Sequence, residues 1–430
     1  MIMKKIALLF LSAVALQASA EVWTLDDCID YAVEHNLTVA RQRVSEQSGQ
    51  LDITEARDAY LPTLSAGASE NFSFGRGLTS ANTYANRNTT SFGWNVNLQL
   101  PLFQGLQAYR REQLAKANMA TLVERTEAAR DDVTLNVMAA YLQVLYCQEL
   151  REVAEHQAAL SLSELERRKV LLENGKIAES EVYEARAQLA SDSLTLVNSD
   201  NDVNLALLDL SQLLRLPADA DFSIAPLTDS QRSVPSPESV YRHALDHNHS
   251  LVASRLDIAA ADRQISLARA GYLPRLSFNL GLGSTYYNLA GEINPSFERQ
   301  MRDNYSTSLG LSLSVPIFDA FSTRNSVRRA KLQRVQAELE YESAQDALYK
   351  SINQAYLQAV SAERKLASAI TAVEASKVSF DAMAVKYEYG SATATEFEQA
   401  KTSYIKAAAE EVQARYERIL RIRILEFYNR

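Results

Sequence analysis

The sequence predicts a mainly α-helical protein with a small transmembrane β part, built from a module written twice. Three observations carry this. First, the run Ala56-Arg57-Asp58-Ala59-Tyr60-Leu61-Pro62 returns as Ala268-Arg269-Ala270-Gly271-Tyr272-Leu273-Pro274. Leu100-Pro101-Leu102-Phe103 likewise returns as Val315-Pro316-Ile317-Phe318, Ala140-Tyr141-Leu142-Gln143 as Ala355-Tyr356-Leu357-Gln358, and Glu173-Asn174-Gly175 as Glu388-Tyr389-Gly390. Such spacing exceeds any solenoid unit and marks a duplicated, domain-sized module. Second, four short segments alternate apolar with small or polar residues. Third, Leu106–Glu173 and Phe321–Glu388 hold almost no glycine and no proline.

Residues 1–20 read as a secretory signal. Lys4 and Lys5 supply the charge, Ile6–Leu16 the apolar stretch and Ala18-Ser19-Ala20 the cleavage site. The apolar stretch is far shorter than the roughly 20 residues of a spanning helix, so a membrane anchor is not expected. The mature chain then begins at Glu21, without a cysteine for lipid attachment. The formal net charge of -9 becomes more negative when the two lysines leave, which argues against a nucleic-acid partner. No other segment is apolar for long enough to span as a helix; if the chain crosses a membrane, it does so with strands.

The first repeat is expected over 21–216, an inter-repeat connector over 217–237 and the second repeat over 238–430. Strands are expected at about 62–75, 91–101, 274–287 and 305–316. In the second, Phe92, Trp94, Val96, Leu98 and Leu100 share one face, and Gly93, Asn95, Asn97 and Gln99 the other. In the fourth, Leu309, Leu311, Leu313 and Val315 alternate with Gly310, Ser312 and Ser314. The first strand is interrupted by Glu70, while Leu276, Phe278, Leu280 and Leu282 mark the third. The polar faces are small and uncharged, unlike the charged outer face of a soluble sheet, and suit a watery lumen. Pro62, Pro101, Pro274 and Pro316 stand where strand meets helix, since proline lacks the N–H that either ladder uses. Polar loops over 75–91 and 288–304 join each pair of strands. Trp94, Tyr286, Tyr287 and Tyr305 near their ends suit an interfacial aromatic girdle.

Four strands cannot close a barrel, whose bacterial minimum is about eight. An open sheet would expose unpaired backbone groups to lipid, at a cost of several kcal/mol each. The barrel must therefore be shared in a cyclic ring. A Ser- and Gly-lined lumen is wider than an eight-stranded interior filled by side chains, which favours three copies and twelve strands.

The long glycine-poor stretches would each form a helix of about 100 Å. Within the first, Val133, Val137, Ala140 and Val144 form one apolar stripe and Leu135, Met138, Leu142 and Leu145 a second. Two stripes mean two neighbours, as in the wall of a helical barrel. In the last helix Ile405, Ala409, Val412, Tyr416 and Ile419 keep the seam. Shorter helices are expected over Asp27–Ala59, Glu179–Leu214, Glu238–Ala270 and Thr395–Tyr428. In each repeat two short helices together match one long helix in length, as if stacked beside it. The connector, with four prolines, reads as a surface segment.

Signal, duplicated helix–strand–strand–helix–helix modules and four strands together resemble the TolC-type outer-membrane efflux and secretion channels, over nearly all of Glu21–Arg430. The resemblance implies a homotrimer: a twelve-stranded barrel in the outer membrane continuing into a periplasmic α-barrel. It also implies a periplasmic adaptor and an inner-membrane transporter as partners. The function implied is that of a passive exit duct in a tripartite efflux or type I secretion system. The extra C-terminal segment of the longest members is not expected here. The family's hairpin tips carry a glycine followed six residues later by an acid and an apolar residue. They match Gly175, Glu181 and Val182, and Gly390, Glu396 and Phe397. The resemblance places adaptor contacts at Gly175, Lys176 and Ile177 and at Gly390, Ser391 and Ala392. Glycine at a helix end also has a purely local reason, its tolerance of positive φ. Some members ring a closed entrance with two acids one turn apart. Glu396 matches the first and Gln399 stands at the second, so the implied pore gate is Glu396 alone. An acid in a first helical turn is favoured anyway by the helix dipole. Glu181 and Glu184 fit the same two-acid spacing in the first copy.

Catalytic, cofactor and metal sites are not expected. The chain has no phosphate-cradling glycine-rich loop, and His247 and His249, read within one helix, would point to different faces. Cys28 and Cys147 are expected as two buried small hydrophobes and not as a disulfide. Two other classes stay open: a non-conducting periplasmic coiled-coil spacer, which leaves the strands unexplained, and an outer-membrane hydrolase, for which the inward strand faces offer only Ser.

Overall fold

The computed structural model describes residues 21–78, 83–86, 88–217, 222–227 and 234–429. The signal segment, parts of the first loop and connector, and Arg430 lie outside the described residues. The chain forms β1 (Glu21–Trp23), α1 (Leu25–His35) and α2 (Leu37–Asp58), then β2 (Thr63–Ser73), β3 (Arg76–Leu78), β4 (Tyr84–Asn86) and β5 (Thr89–Phe103). Helices α3 (Gln107–Glu173) and α4 (Glu179–Leu214) complete the first copy. After β6 (Phe222–Ile224) come α5 (Pro237–His247), α6 (His249–Arg269) and β7 (Arg275–Leu289). The second copy ends with α7 (Phe297–Asp303), β8 (Ser306–Ser314), α8 (Ser322–Glu388) and α9 (Ala394–Phe427). Both long helices, α3 and α8, have 67 residues.

The chain divides into two compact units. One comprises Arg41–Glu127 and Leu245–Ala347. It holds a four-stranded antiparallel sheet in the order β2-β5-β7-β8. Its register aligns the periodicities of all four strands. Leu64 faces Leu98, Leu98 faces Leu280 and Leu280 faces Leu309; Ser65, Asn97, Gly281 and Ser308 form the adjacent row. Residues directly opposite in an antiparallel pair share a face, so one face is predominantly apolar, broken at Glu70 and Ser284, and the other is small and polar. The edge strands β2 and β8 are exposed throughout. Leu64, Leu309, Leu311 and Leu313 are each at least 65% exposed. Trp94 and Tyr305 bring their rings within 6.3 Å on the apolar face.

Strand β8 is short, so β7 outruns it beyond Gly283. Three side-chain amides replace the missing neighbour. Asn304 donates to the Thr285 carbonyl, Gln300 exchanges bonds with the N–H and C=O of Tyr287, and Asn294 does the same for Leu289. The expected 288–304 loop is therefore partly helical and tied to the strand edge. In the 75–91 loop, β3 and β4 form a small hairpin. Ion pairs tie the helices of this unit together: Arg57 to Glu112, Arg125 to Asp257 and Arg334 to Asp262.

Three of the four repeated prolines stand next to strand ends. Pro62 and Pro274 immediately precede β2 and β7, and Pro316 follows β8. Pro101 is a correction: β5 runs on to Phe103, and the ladder shifts register between Pro101 and Phe103. Pro101 is still registered opposite Ser277 and the skipped residue is its neighbour Leu102, so the proline stands at a strand irregularity, one of the places where a strand accepts it. The turns into the long helices rest on a different device. Gly105 and Leu106, and in the second copy Ala320 and Phe321, all adopt positive φ. For Leu, Ala and Phe this conformation is uncommon.

Asp27–Ala59 and Glu238–Ala270 are each two helices, not one. Asn36 leaves helical geometry at φ -66°, ψ 135° between α1 and α2, and its side chain accepts from the Thr38 N–H. Asn248 does the same between α5 and α6, accepting from Leu251. Asparagine competes for nearby backbone groups and so ends and restarts helices. His247 and His249 accordingly belong to different helices, and His249 pairs with Glu124 at 2.8 Å.

The other unit comprises the residues up to Ala40, Ala128–Ala244 and Leu348–Arg430. Its core gathers Cys28, Val133, Val137, Met138, Leu142, Val144, Leu145, Cys147, Leu210 and Ile419. Both expected stripes of α3 contribute to it. The cysteines are free and buried, and burial pushes the Cys28 thiol up to about 12. The connector is anchored and not merely superficial. β6 pairs in parallel with β1, and the buried Tyr141 hydroxyl donates to Ala225 (2.6 Å) and Trp23 (3.1 Å).

Candidate functional site at the helical hairpin turns

Two turns, α3 to α4 and α8 to α9, carry the residues singled out from the sequence. Both helices stop the same way. Gly175 adopts φ +69°, its N–H reaches Leu172 and the Lys176 N–H reaches Leu171. Gly390 adopts φ +71°, with its N–H to Tyr387 and the Ser391 N–H to Lys386. This is the Schellman closure, in which a left-handed residue lets the last carbonyls find donors. Gly175, Lys176, Gly390 and Ser391 are exposed, while Ile177 and Ala392 are half-buried. The turns thus present backbone together with the Lys176, Tyr389 and Ser391 side chains to solvent.

The helices that follow begin differently. Ala178 precedes α4 without a side-chain cap. Thr393 precedes α9 in a full capping box: Glu396 Oε2 accepts from the Thr393 N–H and hydroxyl at 2.8 Å, and Thr393 Oγ1 accepts from the Glu396 N–H. These bonds, helped by Lys386, hold the Glu396 carboxyl below the usual carboxylate range. Glu396 is exposed, so its charge is both fixed in place and available. Glu181 is half-buried, and Glu184 and Gln399 are exposed.

Behind the turns lie two buried polar clusters that the sequence reading missed. In one, Lys401 and Asp192 are each 2% exposed. Lys401 Nζ donates to Ser161 at 2.5 Å and lies 3.4 Å from Asp192 and 3.3 Å from Glu398. Asp192 also accepts from Ser161, Gln157 and Gln188. The cluster joins α3, α4 and α9. In the other, Glu164 accepts from Arg168 Nε at 2.8 Å and from the Tyr387 hydroxyl at 2.7 Å. Arg168 also donates to the Glu181 carbonyl, and Arg167 stacks on the Tyr387 ring at 4.5 Å. Tyr387 in turn stacks on Phe397. Burial and the bond to Glu164 push the Tyr387 phenol up to about 12. Lys401 falls four residues before Ile405, in line with the apolar seam of α9; a cation there was the legible signal.

Among the described residues no group of three or more His, Cys, Asp or Glu could hold a metal, and no helix is long and apolar enough to cross a membrane. The arrangement can offer exposed turns, a fixed carboxylate at Glu396 and a sheet with an apolar face. Duplicated helical hairpins and a sheet with one lipid-compatible face define a channel subunit. The chain belongs to the outer membrane efflux protein family, whose model matches residues 28–214 and 240–425, once per copy of the module. It is similar to outer membrane protein TolC of Vibrio cholerae, with 26% identity over 398 residues covering 88% of this chain and 86% of that one. Outer membrane efflux protein BepC of Brucella suis is 22% identical, covering 92% and 82%. The crystal structure of the Campylobacter jejuni CmeC outer membrane channel shares the fold at a TM-score of 0.77 and 16% identity, covering 94% and 85%. The protein is accordingly an outer-membrane channel of the TolC type.

Proposed function

We propose that three copies form the passive exit duct of a tripartite efflux or type I secretion system. Substrate delivered by an inner-membrane transporter through a periplasmic adaptor leaves through their shared lumen. The observation that carries this reading is the sheet: four strands with a predominantly apolar face, broken at Glu70 and Ser284, and two uncovered edges. Such edges in lipid require closure by other copies. The helix that enters edge strand β2 exposes Val44 and Leu51, seven residues apart. The helix that leaves edge strand β8 exposes Leu332, Val335 and Leu339 at spacings of three and four. Heptad-like spacing suits helix-to-helix packing between copies. A periplasmic spacer has no use for the apolar sheet face.

The exposed turns at Gly175–Ile177 and Gly390–Ala392 are the adaptor contacts of this proposal. Glu396, ionised and held by its cap, is the entrance gate, where three copies attract cations. Cells lacking the protein should accumulate an exported dye, and the wild-type chain should restore its efflux. Unchanged accumulation across several dyes, and unchanged secretion of exported proteins, would contradict the role.

A further inference from the structure

We infer that α7 is an interfacial helix whose Arg299 and Arg302 bind the phosphate of an anionic lipid in the outer leaflet. The inference rests on the outer-membrane placement of the sheet, and holds whatever the number of copies or the partners they dock.

Helix α7 lies against the apolar face of the sheet. Trp94 stands opposite Ser284 and Phe92 opposite Tyr286 on that face. The break in the face at Ser284 is an attachment point: its hydroxyl, 2% exposed, donates to the Met301 carbonyl at 2.7 Å. The Phe297 ring lies 5.1 Å from Tyr286 and 5.7 Å from Phe92, while Gln300 is buried on the edge of β7. At about 3.6 residues per turn, Phe297, Gln300 and Met301 fall on one side of α7. Arg299 and Arg302 then stand at the centre of the opposite side, turned away from the barrel wall. Their side chains are 69% and 74% exposed.

The long helices leave the sheet at its other end, so α7 sits at the extracellular rim. It follows directly above the Trp94–Tyr305 ring pair, and such aromatics mark the level of lipid headgroups. A charged side turned outward at that level meets headgroups, because among the lipid chains it would be costly. Asp303 takes Arg299 Nε at 3.4 Å on one carboxylate oxygen and Arg302 Nε at 3.2 Å on the other. The two guanidiniums are thereby held side by side, with their terminal nitrogens unpaired among the described residues. Such forks match phosphate oxygens in bidentate geometry. Since Glu298 and Asp303 balance the two arginines within α7, the placed forks, and not bulk charge, select the phosphate.

Native mass spectrometry of the detergent-extracted mature protein, titrated with diphosphoryl lipid A, tests this. The wild type should retain the lipid as discrete adducts, and dephosphorylated lipid A should bind no better than phosphatidylcholine. Equal retention with and without the phosphates would overturn the inference. Arg299→Gln with Arg302→Gln should weaken binding about tenfold. Arg275→Gln with Arg324→Gln removes the same charge from exposed residues at the other end of the sheet and should leave binding unchanged. No loss in the first variant, or equal loss in both, would overturn the inference. Either single variant, Arg299→Gln or Arg302→Gln, should weaken binding several-fold, and decides the matter if the double variant does not fold. Excess inorganic phosphate should not displace the lipid; full displacement would mean a site for free anions and overturn the lipid assignment. Failure of these outcomes in a protein that still conducts would leave the exit-duct reading standing.

Discussion

Tyr387 on α8 donates its phenolic hydrogen to Glu164 on α3 across 2.7 Å, although 223 residues separate them. The bond joins the last turn of one hairpin to the wall of the other. Glu164 is 7% exposed, so losing this donor leaves a nearly buried carboxylate less well satisfied. Tyr387→Phe should lower stability by about 1–2 kcal/mol, measured by thermal denaturation in detergent, without loss of membrane insertion. An unchanged transition would show that Arg168 alone satisfies Glu164.

The same phenol gives a pH prediction. Its pKa is raised from 10 to about 12. Its contribution is therefore present below pH 10 and lost as pH rises through 12. Phenolate absorbance of wild type minus Tyr387→Phe should show a late-titrating tyrosine. A difference spectrum centred near 10 would contradict the burial argument.

Glu396 separates its two roles under one substitution. Glutamine also closes a capping box, so Glu396→Gln should keep the start of α9 while removing the charge. Cation selectivity in planar bilayers should fall. Because the carboxyl is held below 4.5, wild-type selectivity should persist above pH 4.5 and fade as pH drops through the lower folded value. Selectivity identical in both proteins would leave the acid as a cap alone.

Gly390→Val tests the turn. A β-branched residue resists the φ of +71° that the Schellman closure uses. Export should be lost while oligomers still reach the outer membrane. Loss of the oligomer instead would show that the glycine serves folding.

The strands and long helices were legible because period two and two apolar stripes survive directly in the residues. Pro62, Pro274 and Pro316 stand next to strand ends, whereas Pro101 sits inside β5, one residue before the bulge at Leu102. The breaks at Asn36 and Asn248 were missed, although both copies carry His-Asn at the same place. An asparagine flanked by helix formers signals a cap only when its side chain is known to turn back. The αL turns at Leu106, Ala320 and Phe321 have no side-chain signature, because those residues seldom adopt positive φ. The Lys401 and Glu164 clusters depend on contacts between residues more than 200 apart, which periodicity alone does not pair.

A charge on the apolar face tests membrane placement. Leu280→Arg, in central strand β7, should cost about 2–4 kcal/mol if it lies near the bilayer midplane. Outer-membrane yield should drop sharply, while Asn279→Arg on the opposite face should insert. Equal yields would contradict the assignment of faces.

The most direct measurement is the mass and single-channel conductance of the detergent-extracted mature protein. The account predicts a heat-sensitive trimer with low, cation-selective conductance. A monomer that conducts nothing would contradict the shared barrel and favour a periplasmic spacer.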